Sequence, residues 1–142
     1  MTSRPDHLNA TTPIRIARPT RDLAAAERFY VGGLGLEVLW RSTGESFADL
    51  LMLGLPGAAW HLELTRPHQH AVAPTPTTED LLVLYLGHPP DSALVARLET
   101  HGGTRVPAVN PYWDTWGVTI TDPDGYRLVL CHTEPPQFRD RS

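Results

Sequence analysis

Apolar and polar positions alternate most cleanly over Ala59–Arg66, Ala-Trp-His-Leu-Glu-Leu-Thr-Arg. A strand has a period of two, so Trp60, Leu62 and Leu64 share one face and His61, Glu63 and Thr65 the other. The same alternation marks a first strand at Ile14–Arg18, with Ile14, Ile16 and Arg18 on one side and Arg15 and Ala17 on the other. Between these strands Leu23, Ala26, Phe29 and Tyr30 recur at helical spacing, which predicts a helix from a capping Asp22 to about Val31. Gly32-Gly33 is expected to end it, because glycine accepts the left-handed conformation that follows a helix. Strands are predicted at Leu36–Trp40, Phe47–Leu53 and Ala59–Thr65, broken at Ser42–Ser46 and Gly54–Gly57.

Arg66–Asp80 has no period and carries three prolines, so it reads as a connection. The pattern then restarts. Leu81–Leu86 is an apolar strand. Asp91 or Ser92 caps a helix with Leu94, Val95 and Leu98 inward, closed by Gly102-Gly103. Thr104–Val106 is a short strand, Ala108–Trp113 a loop, and Thr115–Thr121 with Arg127–His132 a hairpin. Its turn, Asp122-Pro123-Asp124-Gly125, has a proline that presets φ and a glycine that supplies positive φ. Both halves thus run strand, helix, Gly-Gly and about three strands, and Ile14–Thr65 and Leu81–His132 have the same length. The expected fold is α+β: two βαβββ modules whose sheets curl around a cleft. The boundaries read as a flexible tail at 1–13, modules at 14–66 and 81–133, a linker at 67–80 and a second tail at 134–142.

Composition narrows the partners. The 142 residues carry a formal charge of −4 without a basic cluster, which argues against nucleic acid and against an anionic membrane surface. No run approaches the roughly 18 apolar residues of a membrane span, and one cysteine, Cys131, allows no internal disulfide. The expected location is the cytoplasm and the expected partner a small molecule.

Asp22-Leu23 through Phe29-Tyr30, then Gly33-Leu34-Gly35-Leu36, Leu62-Glu63-Leu64-Thr65 and Asp122-Pro123-Asp124-Gly125-Tyr126 together resemble the vicinal oxygen chelate superfamily. That superfamily includes glyoxalase I, bleomycin- and fosfomycin-resistance proteins and extradiol dioxygenases. Arg15-Ile-Ala-Arg18-Pro-Thr, His61-Leu-Glu63, Pro74-Thr-Pro-Thr-Thr-Glu-Asp-Leu-Leu-Val and Asn110-Pro-Tyr-Trp-Asp114 are similar to one bacterial branch of it, the YycE-like proteins of unknown function. The resemblance implies paired modules, a cleft to which each half gives metal ligands, and a homodimer. Of the four ligand positions it implies, only Glu63 carries a ligand. The others fall on Arg15, on Leu81 or Leu82, and on Val129. Arginine stays protonated and cannot ligate a cation, so no metal cofactor is expected.

Arg15 and Glu63 therefore read as an ion pair, either a tie between two strands or an anchor for a polar ligand group. His61 shares the face of Glu63 and is the candidate acid or base, or else a hydrogen-bonded strand histidine. The alternative metal set is Glu63 with His61, holding zinc, nickel, manganese or iron, with His68 and His70 as further donors if the linker folds over the cleft. Asn110, Tyr112 and Trp113, with Asp114 and Trp116, form an aromatic stretch that either packs internally or walls the pocket. Tyr85 and Arg127 are placed toward the cleft by alternation, beside Val129 and Cys131. No base is placed near Cys131 to make it a nucleophile. The leading expectation is a resistance or sequestering protein that binds a small organic molecule without metal. The alternative is a lyase, isomerase or dioxygenase of the glyoxalase type, metal-dependent through Glu63 and His61 or metal-free with His61 moving a proton.

Overall fold

The computed structural model describes residues 7–44, 48–68 and 70–136. Strand β1 (Ile14–Pro19) leads to helix α1 (Leu23–Glu27), which widens into a π-helical turn over Arg28–Gly33. Strands β2 (Glu37–Ser42), β3 (Ala48–Gly54) and β4 (Trp60–Pro67) follow. The second module holds β5 (Leu81–Tyr85), α2 (Ser92–Thr100), β6 (Thr104–Val106), α3 (Pro111–Trp116), β7 (Gly117–Thr121) and β8 (Arg127–Cys131). The strands form two four-stranded mixed sheets, ordered β1-β4-β3-β2 and β5-β8-β7-β6. In each sheet the module's last strand is central, parallel to the first and antiparallel to the third. The α+β class and the two βαβββ modules are those the sequence predicts. Phe47, where the third strand was expected to begin, and part of the Ser42–Ser46 break lie outside the described residues.

Both amphipathic helices bury their stripes in one shared core. Leu51, Leu53, Leu62 and Leu64 of the first sheet meet Ile120, Leu128 and Leu130 of the second around Ala26, Phe29, Tyr30, Val95 and Leu98. Each such side chain contributes about 1.5–3 kcal/mol of burial free energy. The helices thus lie between the sheets. By alternation, the opposite faces point away from this core: Arg15, His61 and Glu63 on the first sheet, Thr119 and Val129 on the second. Helix α3 packs on β7 and β8 and seals Val129 and Cys131.

Two local expectations need correction. Ala108–Trp113 was expected to be a loop and Thr115 to open a strand, yet Pro111–Trp116 is helical. The start signals were present: Asn110 Oδ1 accepts from Tyr112 N at 3.0 Å, and Pro111 occupies the first turn, where no N–H partner is needed. The first glycine pair also acts differently. The left-handed position after the first helix is Gly35 (φ 93°), not Gly32-Gly33. Gly32 and Gly33 instead admit α2, since a Cβ on Gly32 would lie 2.8 Å from the His101 ring. The second pair closes α2 as expected, with Gly102 in the left-handed position (φ 96°), while a Cβ on Gly103 would lie 2.7 Å from a Phe29 ring carbon.

The turn between β7 and β8 ties the modules together. Tyr30 Oη donates to Asp122 Oδ2 at 2.6 Å, and the amides of Asp124 and Tyr126 donate to Asp122 Oδ1 at 2.9 Å each. Thr20 Oγ1 and Arg21 N donate to the Asp124 carboxylate at 2.5 and 3.0 Å. Reciprocal caps add to this: Arg28 reaches the Thr100 carbonyl and Arg97 the Gly33 carbonyl. Burial pushes the Asp122 carboxyl above its ordinary range against the pull of its three hydrogen bonds. Burial, and then the neighbouring Asp122 charge, push Tyr30 well up, so the phenol remains a donor.

Tyr30→Phe should therefore destabilise the protein by about 1–3 kcal/mol, the cost of removing a partner from a buried acceptor, as read from urea denaturation. The pH dependence has a defined sign. A carboxyl raised in the folded state stabilises fully below its unfolded pKa of about 3.9, and that contribution is lost as pH rises through the folded value. The stability of Asp122→Asn relative to the native chain should therefore improve as the pH rises above about 4. A gap that stays flat or moves the other way would show that the hydrogen bonds outweigh burial.

Candidate functional site

The register of β1 against β4 pairs Arg15 with His61 and Ala17 with Glu63, so one guanidinium lies across two positions of the neighbouring strand. Arg15 Nε donates to His61 Nε2 at 3.0 Å, and its Nη1 lies 3.1 Å from Glu63 Oε2. The third nitrogen, Nη2, faces Met52 Sδ at 3.7 Å. The guanidinium fork is engaged on all three arms. Gly54 pairs with His61 across β3 and β4, and a Cβ there would lie 3.0 Å from Leu39 Cδ1 and 3.2 Å from His61 Cβ. The Glu63 side chain is 14% exposed and that of Arg15 51%, so the pair opens to solvent on the arginine side.

The Arg15 contact fixes the chemistry of His61. A nitrogen that accepts from guanidinium must carry a lone pair, so the ring is neutral with its proton on Nδ1. The free edge of the imidazole is then a donor, not a base. Two groups that could ligate a divalent ion, His61 Nε2 and Glu63 Oε2, both turn to a permanent cation. A metal ion at that point would meet the guanidinium charge. Among the described residues, no group of three or more His, Cys, Asp and Glu side chains is gathered so as to hold a metal. The residues of this face do not fit a metal ion while Arg15 holds its place.

The remaining candidates lie elsewhere. His68 Nε2 sits 2.9 Å from Asp49 Oδ1 and is tied to the other side of β3. His70 shares a cavity of about 230 Å³ with Ala17 and Thr65, at the far end of the Arg15 face. Asn110, Trp113 and Arg127 line a second, smaller cavity on the opposite sheet, together with Leu81, Thr119 and Glu79. Asn110 and Asp114 also hold α3 and its approach, Asp114 accepting from Ala108 N at 2.9 Å. Tyr112 packs edge-on to Trp113 at 5.0 Å and is itself exposed, as are Tyr85 and Trp116. Arg127 donates to the Pro107 carbonyl at 3.2 Å. The structure thus gathers Arg15, His61 and Glu63 on one sheet and Asn110, Trp113 and Arg127 on the other. Within one chain the two groups face away from each other.

Three residues of these faces were not foreseen. Met52 pairs with Glu63 and Trp40 with Met52, which places both on the face that carries Arg15. Trp40 is 60% exposed. Period two in β3 already sets Met52 opposite Leu51 and Leu53. Trp40 is shifted by an irregularity between Val38 and Trp40, which alternation does not reveal. Thr119 carried no signal beyond its place in a strand.

Comparison with known proteins agrees with this architecture. Residues 14–65 match the family model of the YycE-like N-terminal domain, and residues 79–132 that of the YycE-like C-terminal domain. The chain is 40% identical over 122 residues to the uncharacterized protein YycE of Bacillus subtilis (strain 168), covering 85% of this chain and 88% of that one. The crystal structure of a Bacillus subtilis YycE protein superposes with a TM-score of 0.80 at 38% identity, over 91% of this chain and 95% of that one. The fold also recurs in TnmS3, an antibiotic binding protein of Streptomyces sp. CB03234, with a TM-score of 0.61, 24% identity and 90% and 100% of the two chains covered. In Leishmania major glyoxalase I the values are 0.64, 21% and 84% of each chain. With matched family models over both modules and this degree of identity to YycE, the chain belongs to the YycE-like family, a branch of the vicinal oxygen chelate superfamily with the glyoxalase/bleomycin-resistance fold.

Proposed function

We propose that this protein is a cytoplasmic, metal-free binding protein that sequesters a small organic molecule against the Arg15–His61–Glu63 face. The observation that carries the reading is the placement of Arg15, whose guanidinium engages His61 at 3.0 Å and Glu63 at 3.1 Å. A permanent cation there gives a rigid polar floor flanked by Trp40 and Met52, suited to a ligand with an apolar body and a few polar groups. The fold shared with an antibiotic binding protein supports that class of ligand. The same contact weighs against the enzyme alternative, because it leaves His61 without a free lone pair toward solvent. A glyoxalase-type lyase or a dioxygenase would need Arg15 to swing away first.

A single chain offers each wall of such a cleft separately. Trp40 on one outward face and Tyr85, Tyr112 and Trp116 on the second module are large apolar groups in contact with solvent. In our reading a second copy brings the second-module face of one chain over the Arg15 face of its partner, so that the homodimer holds two complete clefts.

Three measurements test the reading. Metal content by mass spectrometry, with thermal-shift titrations of zinc, nickel, manganese and iron(II), should show no stoichiometric ion and no stabilisation. A tightly held ion would overturn it in favour of Glu63 and His61 as ligands. Arg15→Met should cost about 1–3 kcal/mol, because it leaves the largely covered Glu63 carboxylate without its partner. Adding Glu63→Gln should return most of that loss, and the folded double variant should no longer bind compounds that the native chain retains from an antibiotic and aromatic-metabolite panel. Retention of those compounds would reduce Arg15–Glu63 to a strand tie. Sedimentation velocity should give a dimer that Trp40→Asp converts to monomer; a native chain monomeric at tens of micromolar would remove the shared cleft.

A further inference from the structure

The end of the first sheet brings Arg21 next to Arg66, His68 and His70. Beyond Pro19 the pairing of β1 with β4 runs on, with Thr20 N donating to the Thr65 carbonyl at 2.9 Å. Arg21 and Arg66 follow as the next residues of the two neighbouring segments. With the connection that leaves β4 they enclose a cavity of about 450 Å³. Thr20, Arg21, Arg66, His68 and His70 line it, and Pro67 and residues 71–73 complete the wall. By alternation Arg66 points away from the side of β4 that carries His61 and Glu63, so the cavity is separate from the Arg15 face. All four titratable side chains of the lining are basic, in a chain of formal charge −4.

The carboxylates nearby are engaged by other donors. Asp124 accepts from Thr20 Oγ1 and from Arg21 N. The Arg21 guanidinium stands 3.7 Å from Asp124 Oδ1, and it reaches the Asp124 and Pro74 carbonyls only at 3.5 and 3.4 Å. Asp49, the cross-strand partner of Arg66, spends Oδ1 on Gly44 N and His68 Nε2. Arg66 and His70 are exposed, and neither has a hydrogen-bond or ion-pair partner among the described residues. Like charges side by side at a sheet end destabilise it. A structural role would be met by one arginine with an acid beside it. Two guanidiniums without a close oxyanion leave a place for one.

We infer that this cavity binds the phosphate group of a small phosphorylated molecule, with Arg21 and Arg66 as its charged anchors and His70 as a further N–H donor. A phosphomonoester carries about −1.5 to −2 charge at pH 7 and three acceptor oxygens, which suffices for two guanidiniums at once. A carboxylate, with one charge and two oxygens, is matched by one guanidinium. The volume lies in the range of about 300–1,000 Å³ typical of small-ligand pockets, larger than a free phosphate fills. Pro67 and residues 71–73 offer apolar contact to the organic part. The site goes beyond the sequestering role of the Arg15 face and does not depend on it.

The test titrates the native chain with phenyl phosphate, inorganic phosphate and benzoate at constant pH and at constant ionic strength in chloride. Nitrogen-15 NMR follows the backbone amides of Arg21, Arg66 and His70. Phenyl phosphate should shift all three saturably in the millimolar range. Inorganic phosphate should bind about threefold more weakly, for want of the apolar contact, and benzoate about tenfold more weakly, for want of the second charge. Arg66→Gln, an exposed position expected to fold, should weaken phenyl phosphate about tenfold, followed at Arg21. Arg105→Gln, an exposed arginine on β6, should leave binding unchanged. The absence of a saturable shift would overturn the inference. So would unchanged binding in Arg66→Gln, or equal weakening in Arg105→Gln, which would reveal only diffuse charge. Benzoate bound as tightly as phenyl phosphate would remove the selectivity for phosphate, and inorganic phosphate bound as tightly would remove the organic ligand; either result overturns the inference as stated.

Discussion

The structure depends on a pair of buried aspartates at a hairpin turn. Asp122 and Asp124 are among the few buried charged side chains, and their hydrogen bonds run to Tyr30, Thr20 and Arg21 of the other module. A carboxylate withdrawn from water needs donors at fixed positions. These donors come from the end of β1 and from the first helix, so the turn can be satisfied only when the modules are packed helix to helix. That packing decides where the chemistry goes. With both helices inward, the polar alternate positions of each sheet have no choice but to face outward. The same turn therefore sets the joint between modules and the orientation of both candidate sites.

How much of this is legible in the sequence follows from the range of the interactions. Strand positions and faces were readable because alternation is local: His61 and Glu63 share a face on any sheet. The pairing of Arg15 with both was inferable only through the resemblance, since it depends on β1 lying beside β4 in one register. Helix α3 was missed although its cap and proline are local, because the aromatic run Tyr112–Trp116 lacks an apolar period. Gly32-Gly33 was misread because its role is steric and distant: it answers to His101 and Leu98, more than sixty positions away. Thr119 could not have been found, since a sealed hydroxyl without a partner among the described residues is a property of its surroundings and not of its residue type.

Arg15 also shows why family membership leaves the chemistry open. The fold supplies a strand pair on which three side chains converge, and any cation placed between His61 and Glu63 would hold them. A metal ion would bring Lewis acidity and exchangeable positions for a substrate oxygen. A guanidinium brings neither. It is fixed in charge, its N–H groups are directional, and all three nitrogens face protein partners. What it leaves is shape and polarity: an imidazole whose Nε2 is engaged, a carboxylate largely covered, and an aromatic flank, the groups on which the proposed binding role rests.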